Sequence, residues 1–157
     1  MVDKAYRIEP AKKNEEVFIR KFVKDIREVD AYELTTCSET PEEELRESLK
    51  RSAEAYKVSD IKGRPLVIYG VIDELEGGLI WCVGTNALRN YWIPFTRESK
   101  AIISRWKKEY GILFNAVTTN NLQAIHWLRS LGAVFGEPFE FNRREFRRFE
   151  IRNTEEE

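Results

Sequence analysis

Apolar positions along the chain recur with two different periods, and the switches between them predict the elements. Ala5–Ile8 alternates as a short strand would. From Asn14 the spacing becomes helical: Asn14 is a cap, Glu15 and Glu16 fill the first turn, and Phe18, Phe22, Ile26 and Val29 form one stripe. A second helix opens at Thr40-Pro41-Glu42-Glu43, which joins a Thr cap to Pro at the first helical position and Glu three residues after the cap. Its inward face carries Leu45, Leu49, Ala53 and Tyr56.

Between Tyr56 and Gly84 the period shortens. Tyr56–Asp60, Pro65–Ile72 and Leu79–Val83 read as three strands of a meander, divided at Lys62-Gly63 and at Glu74–Gly78. The middle run is apolar on both faces, so it belongs at the centre of a sheet covered on both sides. Thr96 is expected to cap a helix carrying Ile102, Ile103, Trp106 and Tyr110, with Lys107 and Lys108 in its last turn and Gly111 as its stop. Ile112–Val117 is a buried strand, Asn120 opens a fourth helix with Ala124, Ile125, Leu128 and Leu131 inward and Gly132 at its end, and Ala133–Phe141 and Glu145–Ile151 are two final strands. The order is β-α-α-β-β-β-α-β-α-β-β, an α/β (α+β) fold with a mixed central sheet of about seven strands.

Composition narrows the picture. A chain of 157 residues with 42% hydrophobic and 34% charged residues is long enough for one sizeable core. Neither a linker nor an internal repeat interrupts it, so a single domain over 1–152 with a frayed acidic tail over 153–157 is expected. Lys and Arg number 26 against 27 Asp and Glu, which gives no general attraction to nucleic acid or to anionic membrane. The longest apolar run, Pro65–Ile72, is far below the roughly 20 residues of a membrane span. The N-terminal stretch lacks the apolar core of a secretory signal, and Cys37 and Cys82 stand far apart without metal-type spacing, so reduced structural thiols in a non-secreted protein are expected.

The order of elements, together with NNLQAIHWLRSLGAVF over Asn120–Phe135, resembles the GNAT (Gcn5-related N-acetyltransferase) fold along nearly the whole chain. Asn121, Ala124, Ile125, Leu131 and Gly132 match that superfamily's fourth-helix pattern. Within the superfamily, PEEELRESL, GRPLVIYGV, the GTNAL turn with FTRES, and IHWLRSLGAVF look like the internal virion protein family of T7-like tailed phages, in that order. That resemblance implies a virion or host-cytoplasm setting, other phage virion proteins as partners, and an activity that is poorly defined; self-association stays open.

The GNAT resemblance also implies acetyl-CoA or CoA as cofactor, held at a glycine-rich turn after the fourth strand whose amides face the pyrophosphate. This sequence departs from it. Gly84–Glu98 holds no second glycine, and Leu88, Arg89, Tyr91, Trp92, Ile93 and Phe95 crowd the turn beside Pro94, which has no N–H. Arg89 or Arg97 would have to meet phosphates by side chain. Leu128 stands where many GNAT enzymes place a Tyr proton donor, and the fourth strand carries no carboxylate, leaving only Asp73 and Glu74 nearby. What the resemblance leaves as cofactor-binding candidates is the backbone of Trp81, Cys82, Val83 and Gly84, where pantetheine would pair like an added strand, and Asn121. No catalytic residue is assigned, and no cofactor is required if the protein is a scaffold.

Three further features carry weaker chemistry. His126 is the sole histidine, so a zinc site or a Ser/His/Asp triad would depend on it alone, and its helical neighbours mark it as a packing or surface residue. Asp25, Arg27, Glu28 and Asp30 form a charge cluster expected to be a solvated helix end. FEFNRREFRRFEIR over Phe139–Arg152 interleaves arginine with aromatic residues as single-strand nucleic-acid surfaces do, but Glu140, Glu145 and Glu150 offset it, so nucleic acid is an unlikely partner. The expected function is an internal virion or assembly protein with degenerate or absent acyl transfer, the alternative an acetyl-CoA-dependent N-acetyltransferase with an atypical loop.

Overall fold

The structure is a computed structural model that describes residues 6–153. Its seven strands form one mixed sheet in the order β1-β2-β3-β4-β5-β7-β6: β1 (Tyr6–Pro10), β2 (Glu54–Asp60), β3 (Pro65–Glu74), β4 (Gly77–Gly84), β5 (Ile112–Thr118), β6 (Val134–Phe141) and β7 (Arg144–Arg152). The helices are α1 (Glu16–Val23), α2 (Glu28–Leu34), α3 (Pro41–Arg51), α4 (Trp92–Tyr110) and α5 (Leu122–Ser130). Ala5 and the acidic tail beyond Asn153 lie outside the described residues. The chain forms two compact units, one built from the chain up to Ile72 with Trp81–Trp92, the other from Asp73–Ile80 with Ile93 onward.

In the first unit, antiparallel pairing joins β1 to β2 and β2 to β3. The first eight residues of β3 are buried, as a strand apolar on both faces requires. Phe18, Ile19 and Phe22 of α1 pack with Leu45 and Leu49 of α3 over Ala55, Ile68 and Val83. Each large side chain so buried stabilises the fold by about 1.5–3 kcal/mol. The Thr40 start is confirmed: its side chain accepts the Glu43 N–H at 3.3 Å, and Pro41 opens α3. The helix ends sooner than its stripe suggested, because Ala53 and Tyr56 already belong to the approach to β2 and to β2 itself. Lys13 Nζ donates to the Lys50 and Ser52 carbonyls at 3.0 and 2.5 Å, placing a cation on the carbonyl end of α3.

The expected first helix is two helices. Asn14 does accept the Glu16 N–H, at 3.1 Å, but α1 stops at Val23 and α2 starts at Glu28. Ile26, assigned to the helical stripe, instead forms an isolated antiparallel bridge with Thr85. Tertiary pairing has outweighed helical periodicity here.

The second unit sets the start of β4 parallel to β5, with Gly78 beside Leu113 and Leu79 beside Phe114. β5 pairs antiparallel with β7, and β7 with β6. Gly77 has φ +148, and a Cβ there would run into the Ile112 carbonyl oxygen, so only glycine lets the two backbones approach. Its core holds Phe95, Ile103, Trp106, Leu113, Val117, Trp127, Phe149 and Ile151, all buried. Gly111 and Gly132 end α4 and α5 as expected, each with positive φ. Thr96 does not cap α4: a 3-10 turn over Asn86–Tyr91 leads straight into the helix at Trp92, and Thr96 lies within it, its hydroxyl donating to the Ile93 carbonyl at 2.9 Å. The β6–β7 hairpin closes through Asn142 and Arg143, with φ of 50 and 65, the geometry of a two-residue primed turn.

Candidate functional site

Whether amides after β4 converge on a ligand depends on where those amides point. Thr85 looks toward β3: its N–H donates to the Leu66 carbonyl at 2.9 Å and its hydroxyl to the Pro65 carbonyl at 2.9 Å. The neighbouring peptides therefore look the opposite way, and there they meet the connection between α1 and α2. The Gly84 carbonyl accepts the Arg27 N–H at 3.1 Å, and the Asn86 N–H donates to the Asp25 carbonyl at 2.9 Å. Residues 25–27 thus lie along the end of β4 as a short added strand.

Two carboxylates complete this docking. Asp30 is buried and accepts the Gly84 N–H at 2.9 Å and Arg27 Nη1 at 3.2 Å. Asp25 accepts the Ala87 N–H at 3.2 Å and, through its other oxygen, Asn86 Nδ2 at 3.2 Å. The expectation of a solvated helix end is overturned, since the charge cluster supplies the acceptors for the backbone that follows β4. Sequence separations of 54 to 62 residues hide this arrangement, and no local pattern marks either aspartate as a partner of that turn. Room is tight as well: a Cβ on Gly84 would lie 2.9 Å from Leu88 Cδ2 and 3.4 Å from Arg27 Cδ.

Donors that a pyrophosphate would need at the start of this turn are spent on the protein's own anions, and the turn residues do not fit that group. Several of the bulky side chains are packed, although Ile93 is 67% exposed. Leu88 is buried, Tyr91 meets the Tyr6 ring edge-on at 6.2 Å, and in the second unit Phe95 is 1% exposed with its ring 5.9 Å from Trp127. Arg89 and Arg97 are exposed.

The predicted cofactor residues divide by the direction each faces. Trp81 packs within the first unit, its indole N–H donating to Ser52 Oγ at 2.8 Å, while Val83 joins the core beneath α1 and α3. Strand alternation puts the peptides of Ile80, Cys82 and Gly84 on one edge of β4. The Ile80 carbonyl accepts Asn115 Nδ2 at 2.7 Å, and Gly84 is held by Arg27 and Asp30, so Cys82 is the intervening peptide. Burial pushes the Cys82 thiol well above its usual range; the Asp30 carboxylate adds to this and Arg27 opposes it. Asn121 is buried and caps α5, its side-chain oxygen accepting the Ala124 N–H at 3.3 Å. Asn120, which the sequence offered as the opening residue, is exposed one position earlier.

Leu128 is buried, so the position where the sequence resemblance would place a proton donor is filled by a core side chain. Asp73 is exposed at the end of β3. His126 is exposed on α5, and among the described residues no cluster of three metal-ligating side chains occurs. Among the described residues no helix is long and apolar enough to cross a membrane.

No protein-family model and no curated protein matches the chain by sequence. Solved structures do match by fold. Ribosomal-protein-S5-alanine acetyltransferase from Vibrio fischeri is similar with a TM-score of 0.70 and 13% identity, over 98% of this chain and 96% of that one. Spermidine N-acetyltransferase from Vibrio cholerae, solved with CoA and spermine, is similar with a TM-score of 0.60 and 13% identity over 96% of each chain. An acetyltransferase of the GNAT family from Streptococcus pneumoniae gives 0.60 and 14% over 92% of this chain and 97% of that one. The fold is that of the GNAT acetyltransferases, a mixed seven-stranded sheet with five helices, as the sequence predicted apart from the division of the first helix.

Proposed function

We propose that this chain uses the GNAT fold as a scaffold for assembly, with acyl transfer degenerate or absent. One observation carries the proposal: Asp25 and Asp30 occupy the Gly84 and Ala87 amides, so the turn that follows β4 begins closed on internal carboxylates. The lack of a second glycine, the buried Phe95 ring and the buried Leu128 support it further. The virion setting rests on the four ordered segments that resemble the internal virion proteins of T7-like phages, and on nothing in the structural comparisons.

A second function, acetyl-CoA-dependent N-acetyltransferase, is favoured by the fold comparisons, whose members are acetyltransferases and include one solved with CoA. It would rely on the Cys82 peptide for the cofactor's extended arm and on Arg89 or Arg97 for its phosphates.

Isothermal titration of the purified protein with CoA and acetyl-CoA, at concentrations sensitive to sub-millimolar binding, separates the two. The scaffold proposal expects no saturable heat from either ligand. Saturable binding that weakens in Arg97→Ala would overturn it and warrant a screen of amine acceptors.

A further inference from the structure

The β6–β7 hairpin sorts its side chains in a way that its linear sequence conceals. Register places Phe139 opposite Phe146 and Phe141 opposite Arg144, whereas Glu140 lies opposite Glu145. Because side chains alternate across a strand, the first two pairs share one face and the glutamate pair lies on the other. Two of the three acids therefore share a face with Arg147 and lie away from Arg144, Arg148 and Arg152.

The aromatic face is built and exposed. Phe139 stacks on Phe146 with centroids 6.0 Å apart and planes at 23°, and Phe141 meets the same ring edge-on at 6.4 Å. Phe146 is buried by this contact, while Phe139 and Phe141 remain 43% and 48% exposed. Alternation adds Arg148 and Arg152 to the face, and Arg148 lies 5.1 Å above the Phe114 ring. Glu150 is an acid there, paired with Arg148 at 2.5 Å and Arg152 at 2.8 Å, and alternation from Phe139 adds Glu137. Arg143 stands at the turn itself, exposed, at a positive φ where glycine is the residue such turns favour. The opposite face is the covered one: Leu113, Val117, Phe149 and Ile151 are buried there, and Arg129 of α5 lies over Phe135 at 5.5 Å. β6 is also the last strand of the sheet, so the exposed rings lie at an open border.

We infer that this face binds single-stranded nucleic acid, with Phe139 and Phe141 as stacking platforms and Arg143, Arg144 and Arg148 as phosphate contacts. Charge complementarity decides the class of partner. Arginines outnumber glutamates on the face, and flat rings at alternate positions of one strand, with Glu140 between them, offer successive bases the apolar surface that a phosphate backbone alone does not need. Duplex recognition would not use the rings, because paired bases hide their faces. The Gly136-Glu137-Pro138 irregularity in β6 also blunts the strand against pairing with a second copy.

The test is fluorescence anisotropy of the full chain with a labelled twelve-residue oligothymidylate, the matching duplex, and a labelled polyglutamate peptide. Single strand should bind at least tenfold tighter than duplex. Phe139→Ala and Phe141→Ala should each weaken it by roughly fivefold or more. Replacing Arg143 and Arg144 together by Ala should lower the slope of log affinity against log salt by about 1.4, the value for two phosphate contacts on a single strand. Glu140→Gln, on the other face, should leave affinity within twofold, and circular dichroism of each variant checks that the hairpin is intact. The inference is overturned by absence of single-strand binding, by equal affinity for duplex without dependence on the rings, or by ring-dependent binding of polyglutamate as tight as that of the oligonucleotide, which would make the face a peptide surface.

Discussion

Replacing Asp30 by Ala tests the docking of the α1–α2 connection on β4 most directly. Asp30 is 3% exposed and accepts two donors, the Gly84 N–H and the Arg27 guanidinium, whose side chain is 19% exposed. Truncating one partner of a buried pair costs about 3–5 kcal/mol, and a buried N–H left without its acceptor accounts for about 1–3 of that. Because Arg27 keeps some access to water, the lower part of the range applies, and we expect a loss of about 3 kcal/mol. For a chain of this length that corresponds to a fall in Tm of roughly 6–12 °C. Asp30→Asn retains one oxygen for the Gly84 N–H while losing the charge and exchanging the other oxygen for an NH2 group, so its fall should be no more than about half as large. Thermal melts of the three proteins, with a double-mutant cycle through Arg27→Ala, provide the measurement. An Asp30→Ala protein melting within about 1 °C of wild type would refute the docking, and equal losses for Ala and Asn would show that charge rather than the amide contact holds the connection.

Two further expectations follow from single residues. Burial opposes ionisation of Asp60, but the Arg64 and Lys62 N–H donors and the Arg64 guanidinium outweigh it and hold its carboxyl below the usual value of about 3.9. A depressed folded value contributes stability that is complete above the unfolded value and lost as pH falls through the folded one; urea midpoints should therefore drop more steeply below about pH 4 in wild type than in Asp60→Asn. Of the two thiols, Cys37 is exposed and Cys82 half-buried at the end of β4; burial pushes the ionisation of both up, Cys82 by far the more. An aromatic disulfide reagent should modify Cys37 in the native protein and Cys82 only with denaturant; prompt reaction of both would mean that the end of β4 opens readily.

Local rules made much of the fold legible. Thr40-Pro41, the glycines at 111 and 132, and the apolar run of β3 fix their elements through chemistry confined to a few residues, and the structure keeps them all. The absence of a glycine cradle could likewise be read directly, because a cradle needs particular residues at particular places. Where sequence reasoning failed, a distant partner had decided the outcome. Ile26 fits a helical stripe but pairs with Thr85; Thr96 fits a cap but lies inside a helix that the preceding 3-10 turn had already begun.

Composition settled that Asp25, Asp30 and the hairpin arginines exist, and their spacing suggested solvated charge. Tertiary structure decided what they meet. Asp30 is buried where it accepts the amide at the end of β4, and Glu140 and Glu145 lie away from Arg144, Arg148 and Arg152 because a strand turns alternate residues to opposite faces. Sequence by itself determined which groups this protein owns and which short-range elements they build; only the packed chain determined which face each charge occupies, since charge balance along a line is not charge balance on a surface.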